Sequence, residues 1–184
     1  ALDSGNLAAI LNTESPEAGD VFFTPAGRIH AIGAGLILAE IQQTSDITYR
    51  IFDWNRKGKD GESRELHTEL AADAIDYEAS GNCVMRKEII PDKTENLVKC
   101  EYFITNILHF NNIITKDYNL IDSFVIYICI EGDFLIHWDK GVEAVKKGET
   151  VLIPAMLSDI VLEPKPEARI LEVFINTYIN NPIK

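Results

Sequence analysis

Two stretches of this chain, GDVFFTPAGRIHA from Gly19 to Ala31 and GETVLIPAMLSDI from Gly148 to Ile160, share one register. Each starts with glycine and an acid, passes through a short run of strand character and reaches Pro-Ala at the same offset. The residue eleven past the glycine is polar in both, His30 in the first and Asp159 in the second. A joint pattern of this length implies two related structural units. The alternative is two unrelated strands that happen to lead into similar turns. Either way, apolar runs this short, closed off by glycine and proline, read as strands joined by tight turns, which suits a barrel or a sandwich.

The rest of the chain fits that frame. After Gly33 and Gly35, Leu36 to Ile41 read as another strand, with His30 in the connection before it and with Glu40 and Gln42 on one face. The run WNRKGKDGES, Trp54 to Ser63, is a charged, glycine-bearing loop. A helix is expected over Arg64 to Glu78, with Ser63 as N-cap, Glu65 in the first turn and an apolar stripe of Leu66, Leu70, Ala71, Ala74 and Ile75. Strand-like runs then follow at Tyr102 to Phe110, Ser123 to Ile130, Phe134 to Trp138 and Glu143 to Val145, with tight turns expected at 131–133 and 139–141. The domain reading is 1–62 for the first unit, 63–97 for helix and linker, and 98–184 for the second unit. Only 18 residues precede Gly19, and Leu7, Ile10 and Leu11 recur there at helical spacing, whereas several strand-like runs precede Gly148. The first unit is therefore expected to lack its leading strands, as in the C-terminal part of a longer polypeptide.

Composition excludes some classes of function. The formal net charge is −12, which argues against nucleic acid and acidic membrane surfaces as partners, because both demand clustered positive charge. A sugar phosphate needs only one or two local cations and stays open. There is no apolar run long enough to span a bilayer. The cysteines, Cys83, Cys100 and Cys129, lack metal-type spacing and read as reduced thiols of a cytoplasmic protein.

The run Gly-Asp-x-Phe-x-x-Pro-Ala-Gly-x-x-His-Ala-Ile-Gly, followed by Ala-Glu-Ile-Gln-Gln-x-Ser-Asp-x-Thr-Tyr-Arg-x-x-Asp and Asn55-Arg56, resembles type I mannose-6-phosphate isomerase. The likeness continues through Arg64-Glu65-Leu66-His67 and Leu120 to Gly132. It implies a mainly β protein of cupin-type (jelly-roll) barrels, the first incomplete and catalytic, the second complete and non-catalytic, with a short connecting helix. It further implies interconversion of mannose 6-phosphate and fructose 6-phosphate through an enediol, assisted by one zinc ion. In that family zinc is held by a glutamine and a histidine close together, a glutamate, and the histidine of the Pro-Ala-Gly-x-x-His turn, which here is His30. The other three ligands would lie upstream of Ala1, so the isolated chain is expected to be inactive.

Taken on its residues alone, His30 is either a metal ligand or a plain hydrogen-bonding histidine, and the resemblance favours the ligand. Arg50 presents a permanent, forked charge suited to an enediolate or a phosphate. Its bland alternative is a salt bridge to Asp46 or Asp53. Asp46, four residues before Arg50, matches a family position at the active site and would orient the arginine or move a proton. His67, His109 and His137 read as structural, and Asp159 without companion ligands makes a weak metal site. A non-catalytic sugar-binding or scaffold module, completed by a partner or by self-association through the incomplete barrel, is the second reading. A cupin iron dioxygenase is disfavoured, because no second histidine with a nearby carboxylate completes a facial triad.

Overall fold

Backbone hydrogen bonds group the chain into strands that mostly follow the apolar runs of the sequence. The structure, a computed structural model, describes residues 7–45, 47–54, 56–78, 81 and 83–175. It divides into two units, Ala1–Met85 and Arg86–Lys184.

In the first unit a single 3-10 turn, Leu7–Ile10, buries Leu7. Strand β1 (Val21–Phe22) pairs antiparallel with β2 (Val84–Met85), Val21 opposite Met85. Helix α1 covers Thr68–Ala74, shorter at both ends than the apolar stripe predicts. The start is delayed because residues 63–67 have other bonds to make. Ser63 bridges to Lys57 in a small antiparallel ladder, and the His67 N–H donates to the Arg50 carbonyl at 2.7 Å. At the far end Ile75 turns extended and the Asp76 N–H donates to the Gly27 carbonyl at 3.0 Å, which closes the helix against the Pro-Ala-Gly turn.

The strand expected over Leu36 to Ile41 is irregular backbone, with Leu36, Ile37 and Leu38 exposed. Among the described residues no strand pairs with this run. Among the described residues the segment has no neighbouring ladder to pair with and no face to cover, so a short apolar run between turn formers does not by itself make a strand.

The second unit holds a seven-stranded sheet. Its members are β3 (Lys93–Lys99), β4 (Phe103–Phe110), β5 (Ile114–Asp117), β6 (Val125–Trp138), β7 (Gly141–Lys146), β8 (Thr150–Ile153) and β9 (Asp159–Ile175). The spatial order is β3-β4-β9-β6-β7, with β5 also on β9 and β8 also on β6. All pairs are antiparallel, and the long strands β6 and β9 each serve several neighbours. That sharing lets the sheet curl around one core built from Leu108, Phe110, Tyr127, Phe134, Leu162 and Ile170 among others.

The turn expected at 131–133 is absent, since β6 runs through as one strand. Its register slips on either side of Gly132, and the buried positions change parity, from 125, 127 and 129 to 134 and 136. Gly132 takes a φ of +70°, and a Cβ there would lie 2.1 Å from the Glu167 carbonyl oxygen. A bulge with glycine in the left-handed region absorbs the extra residue and keeps the apolar side chains inward. The second turn, at 139–141, joins β6 to β7.

Sequence self-similarity has a structural counterpart. The offset between the two stretches is 148 − 19 = 129 residues. At that offset Gly19 and Gly148 both take positive φ, +97° and +87°. Two backbone bonds also repeat: Asp20 to Glu17 with Glu149 to Lys146, both near 3 Å, and Arg28 to Pro25 with Leu157 to Pro154. The two stretches therefore share the same strand entry and a Pro-Ala turn closed by the same backbone bond.

Candidate functional site

The Pro-Ala turn sets up His30. Gly27, third residue of that turn, has φ +84°, as the corresponding position of a type II turn requires. Its equivalent Met156 is not among the residues of positive φ, so the second copy closes its turn without glycine. Just past the turn, the exposed His30 ring places Nδ1 3.0 Å from the Arg28 carbonyl oxygen. A carbonyl can only accept, so Nδ1 carries the proton. In the neutral ring this leaves the Nε2 lone pair free, which is the usual state of a metal-binding histidine.

Arg50 is held from three directions. Its carbonyl accepts from the His67 N–H, its own N–H donates to His67 Nδ1 at 3.1 Å, and its guanidinium donates to the Glu65 carbonyl at 3.3 Å. Because His67 Nδ1 accepts, its neutral ring is protonated at Nε2 and Nδ1 is already committed. His67 is thus a hydrogen-bonding residue that fixes the Arg50 backbone. Neither of the bland salt bridges foreseen for Arg50 can be assigned: Asp53 is taken by other arginines, and Asp46 lies outside the described residues. Glu40 and Gln42 are exposed.

Helix α1 connects these two places. Its start meets Arg50 through His67 and its end meets Gly27 through Asp76. Seven residues at about 1.5 Å each separate the ends by roughly one helix of 10 Å.

A cluster that the sequence reading passed over lies beside Arg50. The buried Asp53 carboxylate accepts from both Arg56 and Arg64, with Arg64 Nε 2.7 Å from Oδ2 and Arg56 Nη2 2.8 Å from Oδ1. The Arg64 hydrogen bond, aided by the charge of Arg56, holds the Asp53 carboxyl below its ordinary range against the opposing effect of burial. The Lys57–Ser63 bridge explains the convergence, since residues flanking an antiparallel pair lie opposite one another. The signal available in the sequence was Gly58 and Gly61 inside a cationic stretch, which marks a hairpin.

In the second unit the notable polar group is internal. Glu172 is 2% exposed and accepts from Lys116 at 2.7 Å, Tyr118 at 2.5 Å and Asn106 at 2.8 Å. Tyr118 and Tyr127 share a further short bond, and burial raises the pKa of both phenols. Every member of this network has a partner, so it reads as a structural pin of the barrel interior. His137 pairs with Glu163 at 2.8 Å and His109 lies 3.5 Å from Glu167. Asp159 is exposed and accepts from Ser158 at 2.9 Å. Among the described residues no group of three or more His, Cys, Asp or Glu could hold a metal, and no helix is long and apolar enough to cross a membrane.

Residues 93–173 match the family model described as mannose-6-phosphate isomerase, cupin domain. Mannose-6-phosphate isomerase ManA of Bacillus subtilis is 30% identical over 164 residues, covering 88% of this chain and 51% of its own length. The mannose-6-phosphate isomerase of Streptococcus mutans is 42% identical over 72 residues, covering 39% of this chain and 23% of its own length. Among solved structures, that of the mannose 6-phosphate isomerase from Bacillus subtilis matches with a TM-score of 0.59 and 26% identity, over 72% of this chain and 42% of the other. The chain spans about half the length of the two Bacillus subtilis relatives that each match 88% of it.

Proposed function

We propose, on the basis that residues 93–173 match the mannose-6-phosphate isomerase cupin-domain model, that this chain is the C-terminal portion of an enzyme interconverting mannose 6-phosphate and fructose 6-phosphate. The observation that carries the reading is the 164-residue likeness to ManA, which extends well beyond the matched domain into the segment holding His30 and Arg50. Aldose-ketose isomerisation moves a proton between adjacent carbons and leaves negative charge on neighbouring oxygens. Arg50 would meet that charge with a guanidinium whose backbone is clamped by His67, so little reorganisation is needed as charge develops. Asp46 would orient Arg50 or relay the proton.

Zinc would act on the substrate oxygens as a Lewis acid when bound. His30 fits one position of such a site, since its bond to the Arg28 carbonyl leaves Nε2 for a cation. The described residues do not complete a tetrahedral set, so the remaining ligands would come from further chain. The exposed Leu36, Ile37 and Leu38 support the same view, as apolar side chains that additional barrel strands would cover.

In the full-length parent, Arg50→Ala should lower turnover in a coupled sugar-phosphate isomerase assay by about a hundredfold, with the fold retained. Undiminished activity would remove Arg50 from the site, and a parent with no isomerase activity at all would favour a non-catalytic sugar-binding module. The isolated chain, mixed with zinc and passed through a desalting column, should retain far less than one equivalent. Stoichiometric zinc with His30 as its sole histidine ligand would contradict this assignment.

A further inference from the structure

A hexose 6-phosphate carries its reacting carbons at one end and its phosphoryl group at the other, so the group that meets the enediolate cannot also hold the phosphate. Arg50 is assigned to the first task under the proposed function, and the inference below rests on that reading. A second cationic feature lies on the same pair of segments. Residues 50–53 and 63–67 are laced together by the Arg50 bonds to Glu65 and His67 and by the Asp53 bonds to Arg64. Between them opens a pocket of about 70 Å³ lined by Phe52, Asp53, Arg56, Ser63, Arg64 and Leu66.

We propose that this pocket is the subsite for the phosphoryl group of a phosphate monoester. Size is the first reason. A cavity that holds one water has about 10–15 Å³ on this measure and whole-ligand pockets run from about 300 Å³, so the space suits a small anion better than a whole sugar phosphate.

Charge is the second. Among the residues that line the pocket Arg56 and Arg64 face the one carboxylate of Asp53, and Lys57, whose ammonium lies 3.1 Å from Ser63 Oγ, adds a third cation at the rim. The balance of two positive charges matches a phosphate monoester dianion, in a chain whose net charge is −12. The acid inside the hairpin loop, Asp60, turns its carboxylate onto the Glu62 backbone N–H at 3.1 Å.

Pre-organisation is the third reason. The Asp53 pairings employ Nε and Nη2 of each guanidinium and leave both Nη1 groups outside them. Asp53 therefore acts as a buried anchor that holds two rigid forks in place, and forked donors are well suited to phosphate oxygens. Ser63 supplies a hydroxyl at the same rim.

The test is a titration of the 184-residue chain with inorganic phosphate, against chloride at matched ionic strength, followed by NMR at the arginine Nε–H groups and the Trp54 indole. Trp54 is a local reporter, since the Arg56 guanidinium stacks 5.2 Å from its ring centroid. Saturable shifts specific to phosphate are expected. In the double variant Arg56→Gln/Lys57→Gln, which keeps the Arg64–Asp53 pair, the affinity should fall by about tenfold or more. Arg50→Ala should leave it unchanged.

The proposal fails if chloride produces the same shifts, if the double variant binds phosphate as well as the parent, or if Arg50→Ala abolishes binding. Phosphate binding is read without turnover, so it can succeed even where isomerase activity is never found. Conversely, an active full-length enzyme whose KM for its sugar phosphate is untouched by Arg56→Gln/Lys57→Gln would sink the subsite and leave the isomerase reading intact.

Discussion

Gly27 has almost no freedom to become another residue. Its φ of +84° penalises any side chain, and a Cβ would approach the Ala74 carbonyl to 2.9 Å, where helix α1 ends. Gly27→Ala should therefore destabilise the first unit by about 1–3 kcal/mol in a urea titration, from backbone strain alone. Met156→Gly, at the equivalent turn of the second unit, relieves no strain and should cost only what added chain freedom and one lost exposed side chain imply, about 1 kcal/mol or less. Equal losses at the two sites would show that the shared turn does not discriminate between the copies. Deep in the second unit, Lys116→Met leaves Glu172 charged and buried with only Tyr118 and Asn106 for company. Breaking a buried pair from one side costs about 3–5 kcal/mol, and the double variant Lys116→Met/Glu172→Gln should recover a substantial part of that loss. Calorimetry on the three proteins measures this directly.

At the level of elements, helix α1 is the informative case. Its existence was legible from the stripe of Leu66, Leu70, Ala71 and Ala74, but its boundaries were not, because partners far away in sequence compete for its first and last N–H groups. The Arg50 carbonyl takes the His67 N–H and the Gly27 carbonyl takes the Asp76 N–H, and no local pattern contains either residue. The strand at 36–41 failed for the complementary reason, since a ladder is a property of two segments. Most strands of the second unit were legible, because each apolar run there finds a neighbour, while the joining of two runs into β6 depended on a bulge at Gly132 that sequence marks only as a turn former. His30 and Arg50 were recognisable as chemistry, whereas the convergence of Arg56 and Arg64 on Asp53 required the hairpin to be seen folded. One alanine inserted between Ala71 and Ala72 would turn the rest of α1 by about 100° and advance it about 1.5 Å. Amide exchange should then speed up at Asp76 while His67 and Arg50 stay paired, and unchanged protection at Asp76 would show that the helix does not span the two turns as a strut.

Across the whole molecule, burial is unevenly shared. The core cluster lies entirely between Leu108 and Ile170, inside the second unit, whereas in the first only Leu7, Ala71 and Asp53 are buried among the described residues. Hydrogen exchange should accordingly give slow amides in β4, β6 and β9 and fast ones through residues 19–50, with protection in the first unit comparable to the second as the contrary result. The unit from Arg86 onward should also retain its sheet when produced alone, as judged by circular dichroism and a cooperative melt. This imbalance sets the order of failure on warming. The turn bearing His30 and the segment bearing Arg50 rest on the part with least apolar burial, so their geometry should degrade while the sheet still registers as native. A bulk melting curve dominated by the second unit would then report a healthy protein at temperatures where the unit bearing His30 and Arg50 had already let go, and storage or assay limits taken from such a curve would be set too high.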